Sequence, residues 1–118
     1  MAGLNLIKLS VGTEGVDDLA RWQGGRGRGH DGLPRHVTRM WPKREAELLD
    51  GGSIFWVIRR AVLCRQRILR LDEHVGEDGI PRCALILDPT LVRVAPAPRK
   101  AFQGWRYLAA HEAPRDLG

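Results

Sequence analysis

Residues 53–59, with the sequence SIFWVIR, constrain the fold more than any other part of the chain. Side chains alternate between the two faces of a strand, and here both faces are apolar. A strand of this kind needs a packed layer against each face. The segment therefore predicts the central strand of a sheet, with Trp56 as a core residue.

The next predicted strand, residues 62–71, carries cations among its apolar side chains. Provided that no bulge shifts the register, three leucines share one face with Arg65 and Arg67. A buried guanidinium needs a carboxylate or a bound anion as its partner. Arg65 and Arg67 are therefore candidates for lining an anion pocket. The alternative is that they reach the rim of the core or pair with the protein's own carboxylates.

The rest of the pattern predicts a small α+β protein. Two short helices are expected over residues 16–23 and 42–49, the second opened by Pro42. Further strands are expected over residues 4–11, 35–40, 83–87, 91–94 and 102–108. Short strands with two brief helices favour a small mixed or antiparallel β-barrel, partly closed. The alternative is an open sheet with helices on one face.

The chain of 118 residues has the length of a single domain, residues 1–118. Residues 24–34 are rich in glycine and predict a flexible loop. The Gly–Arg alternation in this loop is also typical of single-stranded nucleic-acid tails. Residues 110–118 predict a frayed tail. Pro96 and Pro98 argue against a central strand in their segment.

Several classes of protein are disfavoured by what the sequence lacks. No apolar run has the length of a transmembrane helix, and we expect neither a signal peptide nor a membrane partner. Cys64 and Cys83 are too few for a disulfide framework, which favours reduced, packed thiols and a cytoplasmic protein. The histidines are scattered without zinc spacing, so we expect no metal and no cofactor.

The charge of the chain points to an anionic partner. The net charge is +5, and sixteen of the nineteen basic residues are arginine. Arginine pairs bidentately with phosphate, although a GC-rich genome also raises the arginine content. Cations interleaved with aromatic rings suit nucleic acid, because rings stack on exposed bases. The candidate nucleic-acid or anion site consists of Arg39, Trp41, Lys43, Arg44, Arg65, Arg67 and Arg106.

The cations Lys43 and Arg44 make the start of the second helix a candidate functional site. The helix dipole disfavours cations at this position, and local conflicts of this kind cluster at functional sites. The alternative is that both are solvated charges on a short helix.

Four segments, RMWPKR, LLDGGS, RQRIL and FQGWRYL, together resemble a bacterial family of small proteins called domain of unknown function fourteen-eighty-nine. The resemblance covers nearly the whole chain and implies no activity and no catalytic residue. The order of a helix, LLDGGSIFWVI, a strand reversal and RQRILRLDE is also similar to PUA-like barrels, including the ASCH and EVE groups. That similarity implies a pocket for RNA or a modified base.

The sequence therefore favours a nucleic-acid or nucleotide-binding module with an Arg- and Trp-lined pocket, whose partner is RNA or single-stranded nucleic acid. One alternative is a protein-interaction or structural module with a protein partner. Another is a small hydrolase of a modified nucleoside, since some ASCH proteins resemble amidohydrolases that use Thr, Lys and Glu. Thr38, Lys43 and Glu45 supply those residue types here. We favour a binding protein over an enzyme, and no catalytic residue is assigned.

Overall fold

The computed structural model describes residues 3–25, 27–29 and 31–117. Arg26 and His30 of the predicted glycine-rich loop therefore lie outside the described residues. Within these ranges, seven strands and two α-helices are followed by a short 3-10 helix, Ala110–Glu112. No helix in this part of the chain has the length and apolar character needed to cross a bilayer. In chain order the elements are β1 (Leu4–Leu9), α1 (Val16–Gly24), β2 (Arg35–Thr38), α2 (Glu45–Leu49), β3 (Ser53–Ile58), β4 (Ala61–Val75), β5 (Pro81–Leu87), β6 (Val92–Pro98) and β7 (Trp105–Ala109).

The strands form one mixed sheet in the order β2-β5-β4-β3-β1-β7, and β6 pairs with β4 beside this path. β1 runs parallel to β3, and the other ladders are antiparallel. All six residues of β3 are buried, which confirms the predicted central strand. The α+β class with a mixed sheet and two helices is also confirmed. Among the described residues, no ladder joins β2 to β7, so the sheet is not closed into a barrel.

Apolar side chains of β3 enter two separate cores, one on each face of the sheet. On one face, Trp56 belongs to a cluster that also contains Leu19 of α1 and Leu48 of α2. On the other face, Phe55 belongs to a cluster that contains Val94 of β6. The helices therefore form one of the two layers that the SIFWVIR pattern required, and Phe102 and Ala113, which lie outside the strands, pack against the other face.

A bulge in β4 moves Leu71 off the face that carries Arg65 and Arg67. The ladder with β5 is irregular between Ile68 and Arg70. Before this point the even-numbered residues are buried, whereas Leu71 is buried after it. Because an extra residue moves the following side chains to the opposite face, the leucines do not form one buried row. Arg65 and Arg67 stay on the same face as Leu63 and Leu69, but this face is half-buried or exposed, and the prediction that they lie among buried leucines is wrong.

The helix α2 begins later than predicted. It begins at Glu45 rather than Pro42, and Pro42 is buried ahead of it. Lys43 and Arg44 form a turn outside the helix. Glu45 and Glu47 occupy its first turn, where acids suit the helix dipole. Arg44 is the N-cap residue, so its charge still lies at the start of the helix, where the carboxylate of Glu47 pairs with it.

The C-terminal residues dock onto β6 rather than fraying. β6 contains Pro96 and Pro98 and, among the named strands, pairs only with β4, as expected of a strand that is not central. Asp116 forms an isolated bridge with Val94 on this strand. The tail therefore finds backbone partners on β6, and composition alone could not reveal them.

Cys64 and Cys83 are free thiols in the core, as predicted. Burial is the main cause that raises the pKa of each thiol to about 11. Both side chains therefore stay protonated at neutral pH, which makes them poor nucleophiles.

Gly52 allows α2 to lie close to β1. A Cβ on this residue would lie closer than 3.0 Å to the carbonyl oxygens of Leu48 and Leu4. The Gly52 amide also donates a 2.8 Å hydrogen bond to the Leu48 carbonyl. The second glycine of the LLDGGS segment is therefore required by the close approach of two backbones.

Candidate functional site

A pocket of about 390 Å³ lies at the end of β1, bordered by α1, β2 and β3. Its walls include Lys8 and Ser10 at the end of β1, Trp22 of α1, His36 of β2 and Trp56 of β3. Its size falls within the range of small-molecule sites, about 300–1,000 Å³. The fold thus brings two indoles, an ammonium and an imidazole to one cavity.

The indole of Trp56 is fixed at the inner wall of this pocket. Its Nε1 donates a 3.1 Å hydrogen bond to Oε1 of Gln66. The His36 ring meets the indole edge-on, with centroids 5.4 Å apart and an interplanar angle of 84°. Trp56 is 3% exposed, so it is the core residue that the sequence predicted. It is also part of the pocket wall.

Two consecutive residues of β2, Arg35 and His36, line the pocket, and each has one buried side-chain atom without a partner among the described residues. Among the described residues, the buried side-chain atoms that lack a hydrogen-bond partner are Nε of Arg35 and Nε2 of His36. Both residues line the pocket.

His36 is a neutral imidazole at physiological pH. Burial, and secondarily the positive charge of Lys8, lower the pKa of His36 to about 4. A neutral imidazole offers one donor nitrogen and one acceptor nitrogen. The pocket wall can therefore read the hydrogen-bonding edge of a ligand without adding a second full charge at this point.

Lys8 brings the ammonium group. In the two ladders of β1, its backbone partners are Trp56 of β3 and Trp105 of β7. Burial lowers the pKa of Lys8. Within the described ranges, Lys8 forms no salt bridge with any carboxylate. A desolvated cation without a counterion favours an anionic ligand.

The glycine-rich loop supports two pocket side chains. A Cβ on Gly27 would collide with the ring of Trp22, and a Cβ on Gly29 would collide with the guanidinium of Arg35. The Gly27 amide also donates a 2.9 Å hydrogen bond to the Trp22 carbonyl. Trp22 keeps 48% of its surface exposed, so one part of its ring is held while another part is free for a ligand.

The turn after β1 adds hydroxyl groups to the rim. Oγ1 of Thr13 donates a 2.7 Å hydrogen bond to Oγ of Ser10, and both residues line the pocket. Within the described ranges, no three His, Cys, Asp or Glu side chains are grouped closely enough to hold a metal ion. The chemistry that the walls offer is therefore hydrogen bonding, ion pairing and stacking.

The guanidinium groups of two predicted site residues are occupied by the protein's own carboxylates. Arg65 forms a bidentate pair with Asp116, with both distances at 2.7 Å. Arg44 forms a bidentate pair with Glu47, at 2.9 and 2.6 Å. For Arg65, the alternative of pairing within the protein is therefore the observed one.

The other predicted site residues are spread over the surface. The Trp41 indole is 40% exposed, and its Nε1 donates to Glu45 at 3.2 Å. Arg39, Lys43 and Arg67 are exposed, and Arg106 lies above the Phe102 ring at 4.7 Å. None of the seven predicted residues lines the 390 Å³ pocket. The same is true of the residues considered for a hydrolase, Thr38, Lys43 and Glu45.

Sequence reasoning missed Lys8, Trp22 and His36 as site residues. Lys8 carried a usable signal, because it is a cation within the otherwise apolar strand LNLIKL. A lysine in a strand that is paired on both sides must reach a cavity or the surface. Trp22 and His36 carried no such signal, since each fits an ordinary amphipathic element.

The fold and the pocket define a small mixed-sheet protein with a cavity lined by aromatic and basic residues and by Asp18. The chain belongs to the DUF1489 family, described as a protein of unknown function, whose model matches residues 6–118. The family resemblance of the sequence segments is thereby confirmed. No curated protein and no solved structure matches the chain significantly.

Proposed function

We propose that the pocket binds a nucleotide, either free or within single-stranded RNA or DNA. One observation carries the proposal. The ammonium of Lys8 and the imidazole of His36 belong to residues that line the same cavity as Trp22 and Trp56. A cation attracts phosphate, a neutral imidazole bonds to a base edge, and an indole stacks on a base.

The two indoles favour a nucleotide over a simple inorganic anion. Phosphate alone would use Lys8 and leave the half-exposed ring of Trp22 without a role. A planar base would cover that ring and remove apolar surface from water. The proposal therefore keeps the ligand class that the sequence favoured but assigns it to different residues.

Isothermal titration of nucleoside monophosphates with the full chain tests the proposal. Lys8→Met removes the charge and keeps the length of the side chain. A hydrogen bond to a charged group contributes about 1.5–3 kcal/mol, so we expect the affinity to fall about tenfold or more. Trp22→Leu removes a stacking platform that is worth about 1–3 kcal/mol per base, and we expect a loss of about fivefold or more.

Matched controls come from residues of the same type outside the pocket. Lys43→Met and Trp41→Leu remove an exposed lysine and a comparably exposed tryptophan. We expect these variants to bind within about twofold of wild type, since they act on surface groups. A larger loss of affinity in the controls than in the Lys8 and Trp22 variants would indicate that the binding site lies at the sequence-predicted residues instead. No binding by the wild-type chain would refute the proposal.

We also propose that the sheet is a PUA-like barrel left open between β2 and β7. Two contacts between the segment after β2 and strand β7 support it. Nε1 of Trp105 donates to the Met40 carbonyl at 3.0 Å, and the Arg44 amide donates to the Tyr107 hydroxyl at 3.1 Å. Free, buried thiols support the cytoplasm as the proposed place of action.

A further inference from the structure

The turn between β3 and β4 holds two arginines in a strained conformation. Arg59 and Arg60 have φ values of 51° and 69°, in the left-handed region. This conformation is unfavourable for any residue that carries a Cβ. Two-residue hairpin turns of this type favour Asn-Gly or Gly-Gly. Because strained residues that persist cluster at functional sites, the choice of arginine suggests a use for the two cations.

Three further cations surround this turn. The Arg99 amide donates a 2.8 Å hydrogen bond to the Arg60 carbonyl, which joins the end of β6 to the turn. Arg60, Arg99 and Lys100 line an open hollow of about 650 Å³. The guanidinium carbons of Arg99 and Arg106 lie 5.6 and 4.7 Å from the centroid of the same Phe102 ring. We call the five cations Arg59, Arg60, Arg99, Lys100 and Arg106 the basic tip.

No carboxylate compensates the charge of the basic tip. Residues 51–71 and 89–111, which supply all five cations, contain no Asp or Glu. Within the described ranges, none of the five forms a salt bridge, whereas seven arginines elsewhere do. Cations concentrated in this way produce a local positive potential that attracts anions.

We propose that the basic tip binds the phosphate backbone of a nucleic-acid strand. The four guanidinium groups match phosphate oxygens bidentately, and an open surface suits a continuous chain of phosphates better than a single anion. An anionic membrane fits less well. Residues 59–60 and 99–106 contain no exposed large apolar side chain, and Phe102 is half-buried beneath Arg99 and Arg106.

The basic tip and the pocket lie at the same end of the sheet. Leu9 pairs with Val57, and the Ser10 amide donates a 2.9 Å hydrogen bond to the Val57 carbonyl. The pocket rim at the end of β1 is therefore next to the end of β3 that leads into Arg59. One strand could contact both surfaces, but phosphate binding at the tip does not depend on the pocket.

The double variant Arg59→Asn/Arg60→Gly tests the basic tip, because it should raise the stability of the protein while it weakens the binding of nucleic acid. It installs the preferred turn residues and relieves strain, so we expect the melting temperature to rise. Binding of a fluorescein-labelled oligothymidylate at low salt should weaken. If two phosphate contacts are lost, the slope of log affinity against log salt should become shallower by about 1.4.

Two sets of variants make the outcome specific. Arg99→Gln/Lys100→Gln removes two other tip cations and should weaken binding with a similar change in slope. Arg67→Gln/Arg115→Gln removes the same charge from exposed positions outside the tip and should leave the slope near that of wild type.

The proposal would be overturned by an unchanged slope in the Arg59/Arg60 variant. An equal loss in the Arg67/Arg115 control would also overturn it, as would wild-type binding to phosphatidylserine vesicles without binding to the oligonucleotide. Trp22→Leu tests the pocket alone and should leave the slope unchanged. Failure of the pocket and failure of the tip are therefore distinguishable.

Discussion

The side-chain amides of Gln23 and Gln66 donate hydrogen bonds to each other, at 2.9 and 2.7 Å, across 43 residues of sequence. Gln66 is fully buried, and its Oε1 also accepts the hydrogen bond from Trp56. Its Nε2 donates a further bond to the Asp88 carbonyl at 2.9 Å. The pair joins α1 to β4 and holds the inner wall of the pocket. Such a network is stable only when all of its members are satisfied.

Gln66→Leu should be strongly destabilising. It leaves the amide of Gln23 and the indole N–H of Trp56 without partners, and each unsatisfied buried group costs about 1–3 kcal/mol. We expect the free energy of unfolding, measured in urea, to fall by about 2–4 kcal/mol. The double variant Gln23→Leu/Gln66→Leu should lose less than the sum of the single variants by about 1 kcal/mol or more. Additive losses would contradict the pairing.

The neutral state of His36 predicts a loss of stability in acid. In the folded protein its pKa is about 4, against 6.5 in the unfolded chain. Between these two pH values the unfolded state binds more protons than the folded state. The contribution of His36 to stability is therefore fully present above pH 6.5 and decreases as the pH falls towards 4. From pH 7 to pH 5 the contribution of this group should fall by about 2 kcal/mol.

Urea unfolding of wild type and His36→Gln at pH 7 and pH 5 measures this contribution. Other groups titrate equally in both proteins, so the difference between the two pH dependences isolates the imidazole. We expect the variant to lose less stability than wild type on acidification. Parallel losses would show that His36 titrates normally in the folded protein.

The pair of Arg65 and Asp116 predicts a structural role for an arginine that the sequence placed in an anion site. Arg65 holds the pKa of the Asp116 carboxyl below its usual value. The two side chains are 28% and 48% exposed, so solvent screens the pair and its coupling energy should be about 1 kcal/mol or less. That coupling is present above the ordinary carboxyl pKa and is lost as the pH falls through the lowered value.

A double-mutant cycle of Arg65→Gln and Asp116→Asn measures the coupling by urea unfolding. We also expect Arg65→Gln to leave the affinity for oligothymidylate within about twofold of wild type. A large loss of affinity in Arg65→Gln, with no coupling to Asp116, would restore Arg65 to a binding role.

Local patterns predicted much of the secondary structure. Alternation identified β3 as a central strand because both faces of one short segment can be read directly from its side chains. Helix periodicity placed α1 correctly for the same reason. The bulge in β4 was missed, because it depends on which residues of β5 lie opposite and not on β4 alone. As a result, Leu71 was predicted on the same face as Arg65 and Arg67, and that face was expected to be buried.

The candidate site was less accessible to sequence reasoning than the fold. The excess of arginine predicted an anionic partner, but composition does not say which arginines meet carboxylates. Arg65 pairs with Asp116, which lies 51 residues further along the sequence. Lys8 and His36 line one pocket although β1 and β2 are far apart in the strand order, and residues of α1 line the same pocket.

The sequence by itself determined the α+β class, the central position of β3, the reduced state of the thiols and the family of the chain. These properties follow from neighbouring residues or from whole segments, and they do not depend on long-range pairing. Only the tertiary structure decided which cations are neutralised and which polar atoms lack partners. The physical reason is that charge compensation and desolvation depend on distances in space, and strand register and docking of the C-terminal residues set those distances.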